Sequence, residues 1–80
     1  MKTITKIDAV QLAIGLQNIL LDMAKKQNLH PSDVKYPVLL FEEMIIDQKK
    51  VSKKDAEMVT ERVINTGILR WDIMANCFIL

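Results

Sequence analysis

The sequence has few of the residues that usually mark turns or cross-links: two glycines, two prolines and one cysteine among 80 residues. The single cysteine, Cys77, excludes a disulfide within the chain, so folding needs no oxidising compartment. Two separated glycines also exclude a glycine-rich phosphate-binding loop. A many-stranded sandwich needs a turn about every ten residues, and this chain has too few turn residues for one. The composition therefore favours helices.

The sequence also lacks a dominant charge and a long apolar run. Its net charge is +1, which gives no long-range field to attract nucleic acid or an anionic membrane. No stretch reaches about 18 uninterrupted apolar residues, so a membrane-spanning helix is not expected. Residues 1–8 do not follow the pattern of a secretory signal. We therefore expect a cytoplasmic protein.

Apolar residues make up 50% of the chain, and their spacing predicts a first helix over about residues 6–27. Thr5 and Asp8 are both candidate N-caps. Polar side chains cover only about a third of the circumference of this helix at 100° per residue. A helix with so much apolar surface has to be covered on more than one side. It is therefore either the central helix of the fold or the seam of a dimer.

Two further helices are predicted, over residues 37–50 and 53–66. Ser52 is placed to cap the third helix, and Gly67 suits the left-handed position after its end. Leu39 and Ile46 fall outside the apolar stripe of the second helix, seven residues apart, and are candidate contact residues. The predicted inward-facing residues are Val38, Leu40, Phe41, Met44 and Ile45 in the second helix and Ala56, Val59, Thr60, Val63 and Ile64 in the third.

The C-terminal segment is ambiguous. Apolar residues alternate between residues 69 and 79, which is typical of a strand. A strand has to pair, however, and residues 2–6 offer only a short, weak partner; an isolated pair of strands is marginal in water. Three helices upstream favour a fourth. We therefore predict one all-α domain over residues 1–80, a small bundle of three main helices with a short C-terminal helix.

The residues that most often perform chemistry are scarce and scattered. His30 is the single histidine and lies in a loop, while Cys77 lies in an apolar segment and is better explained as a packing residue. One cysteine and one histidine cannot build a structural zinc site within the chain. We therefore expect no enzyme activity, no metal and no cofactor.

Lysines cluster between the second and third helices in the run Lys-Lys-Val-Ser-Lys-Lys. This cluster is either an anion-binding corner, because part of it lies at a helix N-terminus, or a solvated corner. The candidate anion-binding residues are Lys49, Lys50, Lys53 and Lys54.

Gln17 projects from the centre of the apolar surface of the first helix. It is either a polar group at the edge of a core or a buried polar residue that sets the register between two copies of the helix. The excess of apolar surface favours a partner, so we predict a non-catalytic interaction module, a small regulator or adaptor that forms a homodimer. The candidate partner-binding residues are Gln17, Leu39, Ile46, Trp71 and Phe78.

Two other functions are compatible with the sequence. In a helix-turn-helix-like DNA-binding regulator, the helix at about 53–66 would enter the major groove, but it carries Glu57 and Glu61 on its exposed face. A peripheral membrane protein would use Trp71 and the terminal apolar residues, but it lacks the usual basic face. The C-terminal segment is expected to fold back over the first helix, so deletion of residues 72–80 should unfold or aggregate the protein.

Overall fold

The computed structural model describes residues 7–80, and within that range three α-helices pack with a three-stranded antiparallel sheet. The central strand is Cys77–Ile79, which pairs with Lys35–Pro37 on one side and with Arg70–Asp72 on the other. One of these neighbouring strands comes from the middle of the chain, and the other is the first strand of a C-terminal hairpin. In chain order the elements are α1 (Ala9–Gln27), a 3-10 turn (Pro31–Asp33), β1 (Lys35–Pro37), α2 (Val38–Lys49), α3 (Lys53–Asn65), β2 (Arg70–Asp72) and β3 (Cys77–Ile79).

The prediction of an all-α fold with a short C-terminal helix is wrong. The C-terminal segment forms a β-hairpin, with Trp71 paired to Phe78 across it. The missing strand partner is β1, in which Tyr36 pairs with the other side of Phe78. This segment was not recognised as a strand because it is short and runs directly into α2. With a third strand and helices to cover one face, the hairpin is no longer an isolated pair.

The three predicted helices are present, and their caps explain their limits. Asp8 caps α1 by accepting hydrogen bonds from the amides of Val10 and Gln11. Ser52 caps α3 by accepting one from the amide of Asp55. Gly67 has a φ of 73°, the left-handed conformation expected after that helix. Thr5, the predicted start of the first helix at residue 6 and the strand candidate at residues 2–6 lie outside the described residues.

The core lies between the helices and one face of the sheet. The helix pair α2 and α3 packs closely, and α1 packs mainly on α3 and the 3-10 turn. Phe41 and Phe78 meet edge to face with ring centres 5.3 Å apart, which joins α2 to the central strand. Leu40 was predicted to face inward but is exposed, because it lies more than 100° around the helix from the buried side of Phe41 and Ile45.

Candidate interaction surfaces

A row of apolar side chains on α1 remains outside the core. Val10, Ile14 and Leu21 are exposed and Gln17 is half-buried between them. These four residues, here called the α1 stripe, follow each other at intervals of four, three and four residues. At 100° per residue they fall within an arc of about 60°, so they form one face of the helix.

The α1 stripe is exposed because the buried residues of this helix, among those the structure describes, all lie on one side of it. The covered side is narrow and consists mostly of small residues, with Leu16 and Leu20 as its largest members. The stripe lies about 90° around the helix from the middle of that side. Ile19 is also exposed, but it lies on the opposite flank of the covered side. Three of the exposed large apolar residues of the described chain, Val10, Ile14 and Leu21, therefore lie in one line.

A second surface is a groove of about 370 Å³ between α2, α3 and the hairpin. It combines apolar walls with carboxylates, and no cationic residue of the described chain lines it. We call it the acidic groove. It is lined by Val38, Glu42, Glu57, Thr60, Glu61, Ile64, Asn65, Trp71 and Asn76.

The pKa of the Glu42 carboxyl reflects the electrostatic environment of the acidic groove. Partial burial raises the pKa of its carboxyl above the usual 4.5, and the nearby negative charge of Glu57 raises this pKa further. Lys53 opposes both effects and lowers the pKa. The net shift of this pKa is upward, with burial as its largest cause and with the negative charge of Glu57 outweighing the positive charge of Lys53.

A buried hydroxyl lies in the wall of the acidic groove. Thr60 is only 2% exposed, and its Oγ1 has no hydrogen-bond partner within residues 7–80. Buried hydroxyl groups are normally hydrogen-bonded, because leaving one unpaired costs about 1–3 kcal/mol. Thr66, the C-cap of α3, shows the usual arrangement: its hydroxyl donates to the carbonyl of Val63 and accepts from the amide of Ile68.

Trp71 forms the hairpin side of the acidic groove and is 40% exposed. Its indole Nε1–H donates to Asn76 Oδ1 at 3.2 Å, which holds the ring beside the turn. The carbonyl of Asn76 in turn accepts from the first amide of α2, that of Val38, at 2.9 Å. The hairpin is therefore fastened to the start of α2, and the tryptophan is fixed at the groove.

The tip of the same hairpin is apolar and open to solvent. Met74 is 95% exposed and Ile73 is 70% exposed. The side chain of Asp72 accepts hydrogen bonds from the amides of Met74 and Ala75, which shapes the turn. Sequence reasoning missed this tip because it assigned the segment to a helix.

The other predicted partner-binding residues are found in different environments. Phe78 is fully buried in the core of its own chain, which leaves it no exposed surface for a partner in this fold. Leu39 is 61% exposed and Ile46 is half-buried, and together they line a shallow cavity of about 370 Å³ next to Lys53.

The four lysines predicted to bind an anion are all exposed at the α2–α3 corner. Lys53 lies close to carboxylates, since it lines the shallow cavity with Glu42 and Glu43. Lys50 ends α2 in a left-handed conformation, with φ 55°. The anion-binding role of this corner stays a prediction.

The residues with catalytic potential serve local structure. His30 Nδ1 accepts from the amide of Ser32 and lies 2.7 Å from its hydroxyl, so the imidazole caps the 3-10 turn. The thiol of Cys77 donates to the carbonyl of Ala75. Across residues 7–80, no three histidine, cysteine or acidic side chains come close enough together to hold a metal ion.

Comparison of the chain with protein-family models, with curated protein sequences and with solved structures finds no match. In the part of the chain that the structure describes, no helix has the length and apolar character required to cross a bilayer. The α1 stripe and the acidic groove are therefore the features of the molecule that bear on its function. The sequence predicts Gln17 and Trp71 as contact residues, and that role stays a prediction. The groove has no signature in the sequence, because its walls come from three elements and no spacing pattern links them.

Proposed function

We propose that the protein is a non-catalytic interaction module that pairs with a second copy of itself through the α1 stripe and acts as a small regulator or adaptor. The supporting observation is the row of exposed apolar residues Val10, Ile14 and Leu21 with Gln17 among them. Alternating intervals of three and four residues are those by which two helices bury apolar side chains against each other.

A second copy is the occupant that this geometry favours. Two copies of α1 offer each other the same apolar row, as a two-fold symmetric interface requires. Gln17 then lies within the seam, where a polar side chain favours one alignment at some cost in stability. We therefore assign Gln17 the role of setting the register between the two helices.

The mass of the protein in solution tests the proposal. Light scattering at micromolar concentration should give twice the 9.2 kDa of the chain. The double variant Ile14→Lys, Leu21→Lys should give the mass of a single chain, because it places two charges in the seam. Ile19→Lys is the matched control, since Ile19 is an exposed apolar residue of the same helix outside the stripe.

Two results would contradict the proposal. A wild-type protein of 9.2 kDa at micromolar concentration would exclude the homodimer. A dimer that is disrupted equally by Ile19→Lys and by the double variant would place the interface elsewhere. Circular dichroism of each variant establishes that the helices are retained.

DNA binding through α3 has less support. The exposed side of α3 carries Glu57 and Glu61, and these residues border the acidic groove instead of a basic surface. Carboxylates facing phosphates oppose binding. Fluorescence anisotropy with duplex DNA at low salt tests this alternative. Binding that is weakened by Lys53→Glu with Lys54→Glu would favour it over the interaction module.

We also propose that the protein acts in the cytoplasm. The single cysteine, which has no partner for a disulfide within the chain, supports this assignment. Fractionation of the native host, with detection by an antibody to the protein, would test it. Recovery from an oxidising compartment would contradict it.

A further inference from the structure

The acidic groove combines three features that do not occur together in an ordinary surface cleft. The carboxylates of Glu42, Glu57 and Glu61 supply negative charge from two helices. Val38, Ile64 and the ring of Trp71 supply apolar wall. Thr60 adds a buried hydroxyl that lacks a partner among residues 7–80. The first feature selects for a cation and the second for an apolar group attached to it, and the third is a polar group in the wall that the fold leaves unpaired.

We propose that the acidic groove binds a lysine or arginine side chain from a segment of another protein. Such a side chain joins an apolar stem to a cationic head, and so matches both parts of the groove. Tryptophan is the aromatic residue that attracts a cation most strongly, and Trp71 is held beside the carboxylates by its hydrogen bond to Asn76. The Thr60 hydroxyl lies behind this wall, buried from solvent and without a partner among residues 7–80.

An organic cation fits the groove better than a metal ion. Calcium and magnesium require several oxygen ligands at short distances around one point. The acidic residues of the groove are spread along its length, and within the described chain no three of them cluster closely enough for a metal. A lysine or arginine head needs fewer contacts, which can be spread over both walls.

The exposed hairpin tip indicates that the cation belongs to a longer segment. Ile73 and Met74 follow Trp71 closely in the hairpin and are apolar and exposed. A partner segment with apolar residues beside its lysine or arginine would cover this tip. A small free amine would leave it uncovered. This surface involves α2, α3 and the hairpin, so it is independent of the α1 stripe and of the proposed homodimer.

Trp71 provides a direct probe, because it is the only tryptophan in the chain. The indole N–H resonance is followed by NMR while the protein is titrated with a blocked pentapeptide that has a central lysine flanked by leucines. Matched titrations use the same peptide with glutamate in place of lysine, and butylammonium chloride. We expect saturable shifts of the indole resonance with the lysine peptide, and weaker binding as salt is raised.

Paired variants connect the shifts to the groove. Glu57→Gln with Glu61→Gln should weaken peptide binding roughly tenfold, since each exposed ion pair contributes up to about 1 kcal/mol. Glu43→Gln is the matched control, because Glu43 lies on α2 outside the acidic groove. It removes one negative charge from the surface, against two in the double variant, and should leave binding within twofold of wild type.

Four outcomes would overturn the proposal. In the first, the lysine peptide at millimolar concentration leaves the indole resonance unchanged. In the second, the glutamate peptide binds as well as the lysine peptide. In the third, Glu43→Gln weakens peptide binding as much as Glu57→Gln with Glu61→Gln. In the fourth, butylammonium binds as tightly as the peptide, which would assign the groove to a small free amine.

Discussion

At the scale of single residues, Thr60 is an exception to the rule that buried polar groups are paired. Its hydroxyl, in the middle of α3, has no partner among residues 7–80, whereas the hydroxyl of Thr66, the C-cap of the same helix, makes two hydrogen bonds. Valine at each position therefore compares the loss of an unpaired hydroxyl with the loss of a paired one.

Thr60→Val should therefore increase the free energy of unfolding by about 1 kcal/mol, since it removes a buried polar group that gains nothing from the fold. Thr66→Val should decrease it by a similar amount, since it removes satisfied hydrogen bonds. Urea unfolding followed by circular dichroism measures both. A loss of stability in Thr60→Val would mean that the hydroxyl contributes a stabilising contact.

Glu42 should make stability depend on pH. Burial and the charge of Glu57 raise the pKa of Glu42 in the folded protein above the value of 4.5 that applies to an unfolded chain. The folded state therefore binds the carboxyl proton of Glu42 more tightly than the unfolded state does. The resulting stabilisation is complete below pH 4.5 and is lost as the pH rises through the higher folded pKa.

Glu42→Gln should accordingly stabilise the protein at pH 7 by no more than about 0.5 kcal/mol, the usual limit for a partly exposed position. The gain should disappear at acidic pH, where the wild-type carboxyl is protonated. Unfolding in urea at both pH values is the measurement. Glu43→Gln controls for the loss of one negative charge from α2, and an equal pH-dependent gain in that variant would contradict the assignment.

At the scale of elements, the β2–β3 hairpin depends on Asp72. One carboxylate oxygen accepts from the amides of Met74 and Ala75, and the other lies 3.9 Å from the ammonium of Lys35 on β1. Asp72→Ala should lower the free energy of unfolding by about 1 kcal/mol, chiefly through the lost turn hydrogen bonds. Lys35→Ala should lower the free energy of unfolding by less, because the ion pair is partly exposed to solvent.

The measurement is thermal unfolding together with hydrogen exchange of the amides in β3. Exchange should accelerate in Asp72→Ala and remain near the wild-type rate in Asp47→Ala, an exposed aspartate on α2. If both variants retain the wild-type exchange rates, the turn is specified by the backbone and by Asn76 instead of by Asp72.

The helices could be predicted from the sequence because their signals are local. Asp8, Ser52 and Gly67 mark helix limits by chemistry that involves only the next few residues. The sheet could not be predicted, because Tyr36 and Phe78 pair across more than forty residues and neither strand carries a strong pattern of its own. For the same reason Trp71 could be singled out as a contact residue, but its neighbours in the acidic groove could not.

At the scale of the whole molecule, the proposed homodimer couples association to folding. A protein that pairs only when folded becomes more stable as its concentration rises, by mass action. Each tenfold rise contributes about 1.4 kcal/mol per dimer, or half of that per chain. For a domain of this size, the midpoint of thermal unfolding should increase by roughly 4 °C per tenfold rise in concentration.

The dependence of the thermal unfolding midpoint on protein concentration tests whether the α1 stripe is the dimer interface. Ile14→Lys with Leu21→Lys should give a midpoint that is independent of concentration, because the charged seam no longer pairs. Ile19→Lys should keep the wild-type slope even where its midpoint differs, because it lies outside the stripe. Gln17→Leu should raise the midpoint, since burying leucine in the seam favours association over the polar side chain. A wild-type midpoint that stays constant from low to high micromolar concentration would exclude coupling between folding and association, and with it the dimer built on α1.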